Sequence, residues 1–255
     1  MGYSLHEWAV AYIQKGMSDM RYGYYSYYYD PTYFLVLIGA VLCLLAQLRV
    51  KSTYKKYSRV RSRSGMTGAQ AAQRILQLSG IYDVRIEHVR GELTDHYDPS
   101  KKVLRLSDTV YGSDSIAAIG VAAHECGHAV QHNKGYAPLA FRTALVPVAN
   151  IGSWAGIPII LLGAFLGMNQ LLIQIGIWVF ALAVLFQIVT LPVEFNASGR
   201  ALAMLGNYGM LAQDETSGCR KVLSAAALTY VAAAAAAILQ LLRLILLFGG
   251  GRRRD

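Results

Sequence analysis

Between Arg142 and Glu194 the chain reads TALVPVANIGSWAGIPIILLGAFLGMNQLLIQIGIWVFALAVLFQIVTLPV, 51 residues without a formal charge. About 20 apolar residues carry a helix across a bilayer, so this run has room for two crossings. The turn falls at Gly167-Met-Asn-Gln170. Leu145–Met168 and Gln170–Val193 are therefore expected to form a transmembrane helical hairpin, residues 145–193. Two shorter uncharged runs flank it, 18 residues between Asp30 and Arg49 and 21 between Lys221 and Arg243. The first predicts a transmembrane helix at 33–48 and the second a C-terminal hydrophobic helix at 225–248. Hydrophobic residues make up 55% of the chain and charged residues 15%, against about 25% charged in soluble domains. A freely soluble enzyme and a disordered chain are both excluded.

The net charge of +9 has a definite location. Residues 49–63 hold seven positive side chains and no negative one, while residues 64–142 hold eight of each sign. The excess is a juxtamembrane patch, the mark of a cytoplasmic-side anchor on anionic membrane lipid and not of a nucleic-acid-binding face. With that patch inside, residues 49–142 and 194–221 are expected to be cytoplasmic in a multi-pass membrane protein. The last helix is ambiguous. If it crosses, it exports Arg252–Arg254, and it carries Arg243 within it. The first apolar run begins too far in for a signal peptide and precedes the basic cluster, so it is read as a retained span. Cys43, Cys126 and Cys219 show no paired spacing, as expected in a reducing compartment. Residues 1–32 are read as an N-terminal extension, either poorly ordered over residues 1–20 or carrying an interfacial tyrosine belt at Tyr22–Tyr29.

Within 49–142, Thr67-Gly-Ala-Gln70 is a capping box that opens a helix at Ala69–Leu78. Two alternating stretches, Val84–Val89 and Val103–Leu106, predict a small β-hairpin or edge sheet. A further helix starts after Ser113–Ser115 and runs to about His132. It carries His124-Glu-Cys-Gly-His128. Residues four apart on a helix lie one above the other, so both imidazoles can reach one Zn²⁺. Glu125 is placed to act as general base toward an ion-activated water. Ala122, Ala123, Gly127 and Ala129 make this helix narrow enough for another backbone to approach.

A catalytic zinc needs a third protein ligand. The extended pattern with Gly and His further along the helix is excluded by Gln131 and Lys134. His132 lies about 12 Å along the axis from His124, which suits a supporting or surface role, with ligation the lesser option. Between residues 133 and 213 the only acidic or histidine residue is Glu194. Elimination favours it as the ligand, brought back by the hairpin at the head of a helical segment. His96 or Tyr97 is a candidate oxyanion donor, Asp98-Pro99 a turn, and Arg200 a partner for the oxyanion or for lipid phosphate.

Several stretches together resemble the YugP-type membrane zinc metallopeptidases of bacteria, whose gluzincin-like site is shared with the HtpX and CAAX prenyl protease families. They are Tyr28-Tyr-Asp-Pro-Thr-Tyr33, Leu93-Thr-Asp-His-Tyr-Asp-Pro99, Leu106-Ser-Asp-Thr-Val-Tyr111, Val121-Ala-Ala-His-Glu-Cys-Gly-His-Ala-Val-Gln131, Leu191-Pro-Val-Glu-Phe-Asn-Ala-Ser198, Asp214-Glu215 and Ala225-Ala-Ala-Leu-Thr-Tyr-Val231. The resemblance spans most of residues 22–248. It implies a zinc endopeptidase with one Zn²⁺ held by His124, His128 and Glu194 and with Glu125 as base. HtpX-like relatives commonly carry Asp four residues after the ligand Glu. This chain has Ser198, so Asn196 or Ser198 takes the orienting role.

The expected fold is thus a mainly α integral membrane protein with a cytoplasmic zincin-like helix domain, a small β element and about four hydrophobic helices. The expected activity is hydrolysis of peptide bonds in membrane or membrane-adjacent proteins. A non-catalytic zinc-binding scaffold or adaptor is the alternative. A homo-oligomer or a membrane partner protein is left open. A zinc helix that itself spans the bilayer is disfavoured, because only Ile116–Ala123 is unbroken apolar sequence there.

Overall fold

The computed structural model describes residues 30–248, so the Tyr22–Tyr29 belt and Arg252–Arg254 lie outside the described residues. In chain order the elements are α1 (Tyr33–Tyr57), α2 (Gly68–Leu78), β1 (Arg85–Val89), β2 (His96–Asp98), β3 (Val103–Ser107), α3 (Asp108–Tyr111), α4 (Ile116–Asn133), α5 (Ala137–Phe165), α6 (Gln170–Asn207) and α7 (Gln213–Phe248). Four of them, α1, α5, α6 and α7, are long and apolar enough to cross a membrane. Only 11% to 22% of their apolar windows is buried within the protein. Trp154, Phe165 and Trp178 are 70%, 88% and 75% exposed. Such a surface is stable against lipid and not against water. The protein is a mainly α membrane protein with one small sheet.

The helices overrun the apolar runs that predicted them. α1 continues through the basic segment to Tyr57, since Lys, Arg and Gln are good helix formers that need no burial. α6 has 38 residues, about 57 Å at a rise of about 1.5 Å per residue, against about 30 Å of hydrocarbon. From Glu194 onward the same rod therefore enters the polar domain, where Ala201 and Leu205 join Ile75, Leu106, Ile119 and Cys126 in the core. α7 also starts in that domain, well before Ala225. The domain sits at one end of all four spans.

In the sheet, ordered β1-β3-β2, the outer strands flank β3. Here the hairpin expectation is corrected: β1 and β3 pair in parallel and β2 pairs antiparallel with β3. The chain between them returns through β2, which is too short to show alternation. Asp98 does make the expected turn, its Oδ1 accepting the N–H groups of Ser100 and Lys101 at 3.0 and 3.1 Å. The capping box is present, with Gln70 N–H to Thr67 Oγ1 at 3.3 Å and Thr67 N–H to Gln70 Oε1 at 2.9 Å. Ser115 caps α4, its Oγ accepting Ala118 N–H at 3.2 Å. The three cysteines are free.

α7, whose crossing is ambiguous from the charges, packs along α1. Gly39 faces Ala236 and Gly218 faces the Tyr57 ring, so the two helices run antiparallel. At their far end Arg243 Nη2 donates to Asp30 Oδ2 at 2.8 Å, and the guanidinium lies 4.1 Å from the Tyr33 ring centroid. A carboxylate and an aromatic face thus accommodate the arginine inside an apolar helix.

The contact that sets the site lies between α4 and α6. A Cβ on Gly127 would stand 2.5 Å from Ala197 O, so only glycine allows the two backbones this close. The small residues of α4 admit α6, a segment of the same chain. Gly199, also on α6, has nothing within 4 Å of an added Cβ. Gly127→Ala is expected to destabilise the protein by about 1–3 kcal/mol through overpacking against backbone. Gly199→Ala should be neutral or stabilise by up to about 1 kcal/mol from helix propensity. Thermal unfolding of the two variants in detergent measures both.

Candidate metal centre

His124 and His128 project from one face of α4, their ring centroids 4.8 Å apart and nearly perpendicular. Glu194, on α6, is buried against them. Its Oε2 lies 3.3 Å from His124 Nε2 and 3.7 Å from His128 Nε2. One donor atom from each of the three residues falls within 4.8 Å of the others, a group able to hold a metal ion. The two charges bounding the uncharged hairpin also meet here, Arg142 Nη2 standing 3.9 Å from Glu194 Oε1.

The hydrogen bonds around the group set its tautomers. Gln131 is fully buried, and its amide donates Nε2–H to Val193 O at 2.8 Å and to Asn196 Oδ1 at 3.0 Å. A backbone carbonyl only accepts, which assigns the amide nitrogen to that side and leaves Gln131 Oε1 facing His128 Nδ1 at 3.0 Å. Nδ1 must then carry the proton, and Nε2 presents a lone pair. Arg200 Nε, which only donates, bonds Asn196 Oδ1 at 2.7 Å and orients that amide likewise. His124 Nδ1 lies 3.1 Å from Ser198 Oγ, which leaves its Nε2 for the centre too. Glu194 Oε2 is buried without a hydrogen-bond partner. An ionised carboxylate oxygen does not stay so at low cost. The convergent donors fit a zinc ion, with three ligands of the kind zinc takes and bracing behind each imidazole.

In the metal-free protein, burial opposes charge on His128. The negative charges of Glu125 and Glu194 beside it outweigh that and raise the imidazole pKa. The pocket is built to hold positive charge.

The cleft in front of the centre encloses about 360 Å³ and is lined by Glu125, Asp95, Leu93, Gln47 and Tyr230 as well as His124, Glu194 and Ser198. Glu125 is 8% exposed. Asp95 accepts Ser107 N–H at 2.7 Å and Ser107 Oγ–H at 2.9 Å, and burial pushes its carboxyl pKa up. Other sequence candidates stand elsewhere. His96 is exposed on β2, its Nδ1 2.9 Å from Thr94 O and its Nε2 3.2 Å from Arg105 Nη1. His132 Nδ1 lies 2.9 Å from the Tyr97 hydroxyl, outside the three-residue group. Arg200 reaches the centre only through Asn196 and stacks over Tyr136 at 5.9 Å.

Sequence reading missed Gln131, Arg142 and Tyr230. Gln131 had served only to exclude an extended zinc pattern. Arg142 was read only as a boundary charge, although its position directly before the uncharged run, as Glu194 directly follows it, was a usable signal. Tyr230, near Glu194 and Glu125, stands in an alanine-rich helix with no local motif. Gln131→Leu should weaken zinc binding about 10- to 100-fold by releasing His128, as read by competition with a chelating dye. Because His128 holds its proton to higher pH than usual, zinc uptake should release protons. Affinity should fall as pH is lowered from about 8 to about 6, measurable by calorimetry in buffers of different ionisation enthalpy.

Residues 32–249 match the family described as "Putative neutral zinc metallopeptidase". The chain is 50% identical over 198 residues to the "Putative membrane protease YugP" of Bacillus subtilis (strain 168), covering 78% of this chain and 88% of that protein. No solved structure matches it. Across most of its length, residues 32–249, this chain belongs to the family described as "Putative neutral zinc metallopeptidase".

Proposed function

We propose that the protein is a multi-pass membrane zinc endopeptidase that cleaves membrane or membrane-adjacent proteins at the cytoplasmic face of a bacterial plasma membrane. The observation that carries this reading is the buried, unpartnered Oε2 of Glu194, set between two imidazole Nε2 atoms. His124, His128 and Glu194 would hold one Zn²⁺. When bound, the ion supplies a Lewis acid that polarises a carbonyl and makes water acidic near neutral pH.

Glu125, on the cleft wall, takes the proton of the attacking water and returns it to the leaving amine. Tyr230, facing the same cleft, is the hydroxyl placed to donate to the carbonyl oxygen as it gains charge. Arg142 sets a positive charge beside Glu194 Oε1 and helps to orient that carboxylate. Leu93 and Asp95 lead from the cleft into β2, whose outer edge has no strand partner among the described residues. An extended peptide can pair with such an edge and lie across the cleft. The spans confine all of this to the membrane boundary, which favours substrates already at that boundary. The basic segment 49–63 supports a cytoplasmic position for the domain. α7, lying along α1, crosses with it.

A structural zinc site in a non-catalytic scaffold is the competing reading. Such sites are usually closed by four protein ligands, whereas three donors converge here at the wall of a cleft. Glu125→Gln should keep zinc at wild-type stoichiometry and lower cleavage of an unfolded membrane-protein substrate by about 10²-fold or more. Wild-type cleavage by this variant would reject Glu125 as base, and no cleavage by the wild-type protein would favour the scaffold. Glu194→Ala should lower zinc content, and unit zinc in that variant would reject the ligand assignment. Elemental analysis of the same purified samples supplies the metal arm.

A further inference from the structure

We propose that a groove between α1 and α7, at the end of the spans nearest the polar domain, binds the phosphate headgroup of an anionic phospholipid. The groove encloses about 330 Å³, with Arg49, Thr53 and Lys56 from α1 facing Arg220, Lys221 and Leu228 from α7. All four cations are exposed, and among the described residues none pairs with a carboxylate. Nearby Arg61 and Arg63 differ, each paired with an aspartate, Asp114 and Asp214 respectively. Four like charges drawn together from two helices repel one another across the helix contact, and an anion seated among them removes that repulsion. Arginine forks and a threonine hydroxyl suit a phosphate group.

The surroundings select a lipid over a free ion. Leu45 and Leu48 on α1 are 57% and 56% exposed, and Leu228 on α7 is 41% exposed. All three lie on the apolar side of the cations along their helices, where acyl chains would run once the headgroup is seated. Val50 and Ala226 of the same two helices wall the metal-site cleft. A headgroup bridging α1 and α7 therefore holds that wall in register. The site itself does not depend on the peptidase reading.

The test uses the full-length protein in detergent, titrated with phosphatidylglycerol, phosphatidylcholine or inorganic phosphate, with retained lipid read by native mass spectrometry and stability by thermal midpoint. Wild type should retain phosphatidylglycerol preferentially and gain midpoint with it. R49Q/K221Q should lose about 25-fold in affinity, about fivefold per cation. K51Q/K55Q removes as much charge from α1 outside the groove and should behave as wild type. If R49Q/K221Q cannot be recovered folded, K56Q should show the single-cation loss of about fivefold. Equal retention by wild type and the groove variants overturns the proposal. So does an equal loss in K51Q/K55Q, which would mean diffuse surface charge. Displacement of phosphatidylglycerol by equimolar inorganic phosphate would reduce the groove to a bare anion site and overturn it as well.

Discussion

Everything at the centre depends on how closely α6 approaches α4. The two imidazoles belong to one helix and need only the four-residue spacing to face the same way. The carboxylate arrives from 66 residues further along the chain than His128, after the apolar lengths of α5 and α6. Its position is set where Gly127 lets the α6 backbone come down onto α4 at Ala197. Ser198, one turn beyond Glu194, then meets His124. Without that approach the chain would still hold a histidine pair and a buried acid, but not a single set of converging lone pairs.

The hydrogen bonds behind the ligands extend the same constraint outward. Arg200 donates to Asn196, Asn196 accepts from Gln131, and Gln131 meets both the Val193 carbonyl and His128. Each end of this chain can play one role only, guanidinium as donor and backbone carbonyl as acceptor, so the amides between them have no freedom to flip. Three of these residues sit on α6. The helix that delivers the carboxylate therefore also sets the tautomer of an imidazole on α4. A neutral Ser198 beside His124 makes that imidazole less electron-rich than an aspartate would. Arg142, by contrast, brings a full charge up to Glu194.

The membrane part and the polar part are built from the same rods. α6 and α7 are apolar enough at one end to cross a membrane and are core helices at the other, packing Ala201, Leu205, Cys219 and Leu223 into the domain that holds α4. A shift of either helix in the bilayer would be felt at the ligands without any loop to absorb it. The antiparallel pairing of α1 and α7, tied at one end by Arg243 and Asp30, limits such shifts.

By itself the sequence determined what periodicity, spacing and charge can carry. Uncharged runs marked the spans, Thr67 and Ser115 marked two helix starts, and His124-Glu-Cys-Gly-His128 marked a metal-binding face. Elimination pointed to Glu194 because so few other ligating side chains follow. These signals are local, or they are counts. Tertiary structure decided the rest. β2 emerged from pairing with β3, not from any pattern of its own three residues. α1 and α6 outran their apolar runs because a helix ends where its hydrogen bonds or packing end, not where hydropathy falls. Gln131, Arg142 and Tyr230 came to the centre from three helices. Nothing in a chain's local chemistry records which distant backbone will lie beside it, so a residue whose role is to face another helix is legible only once the helices have packed.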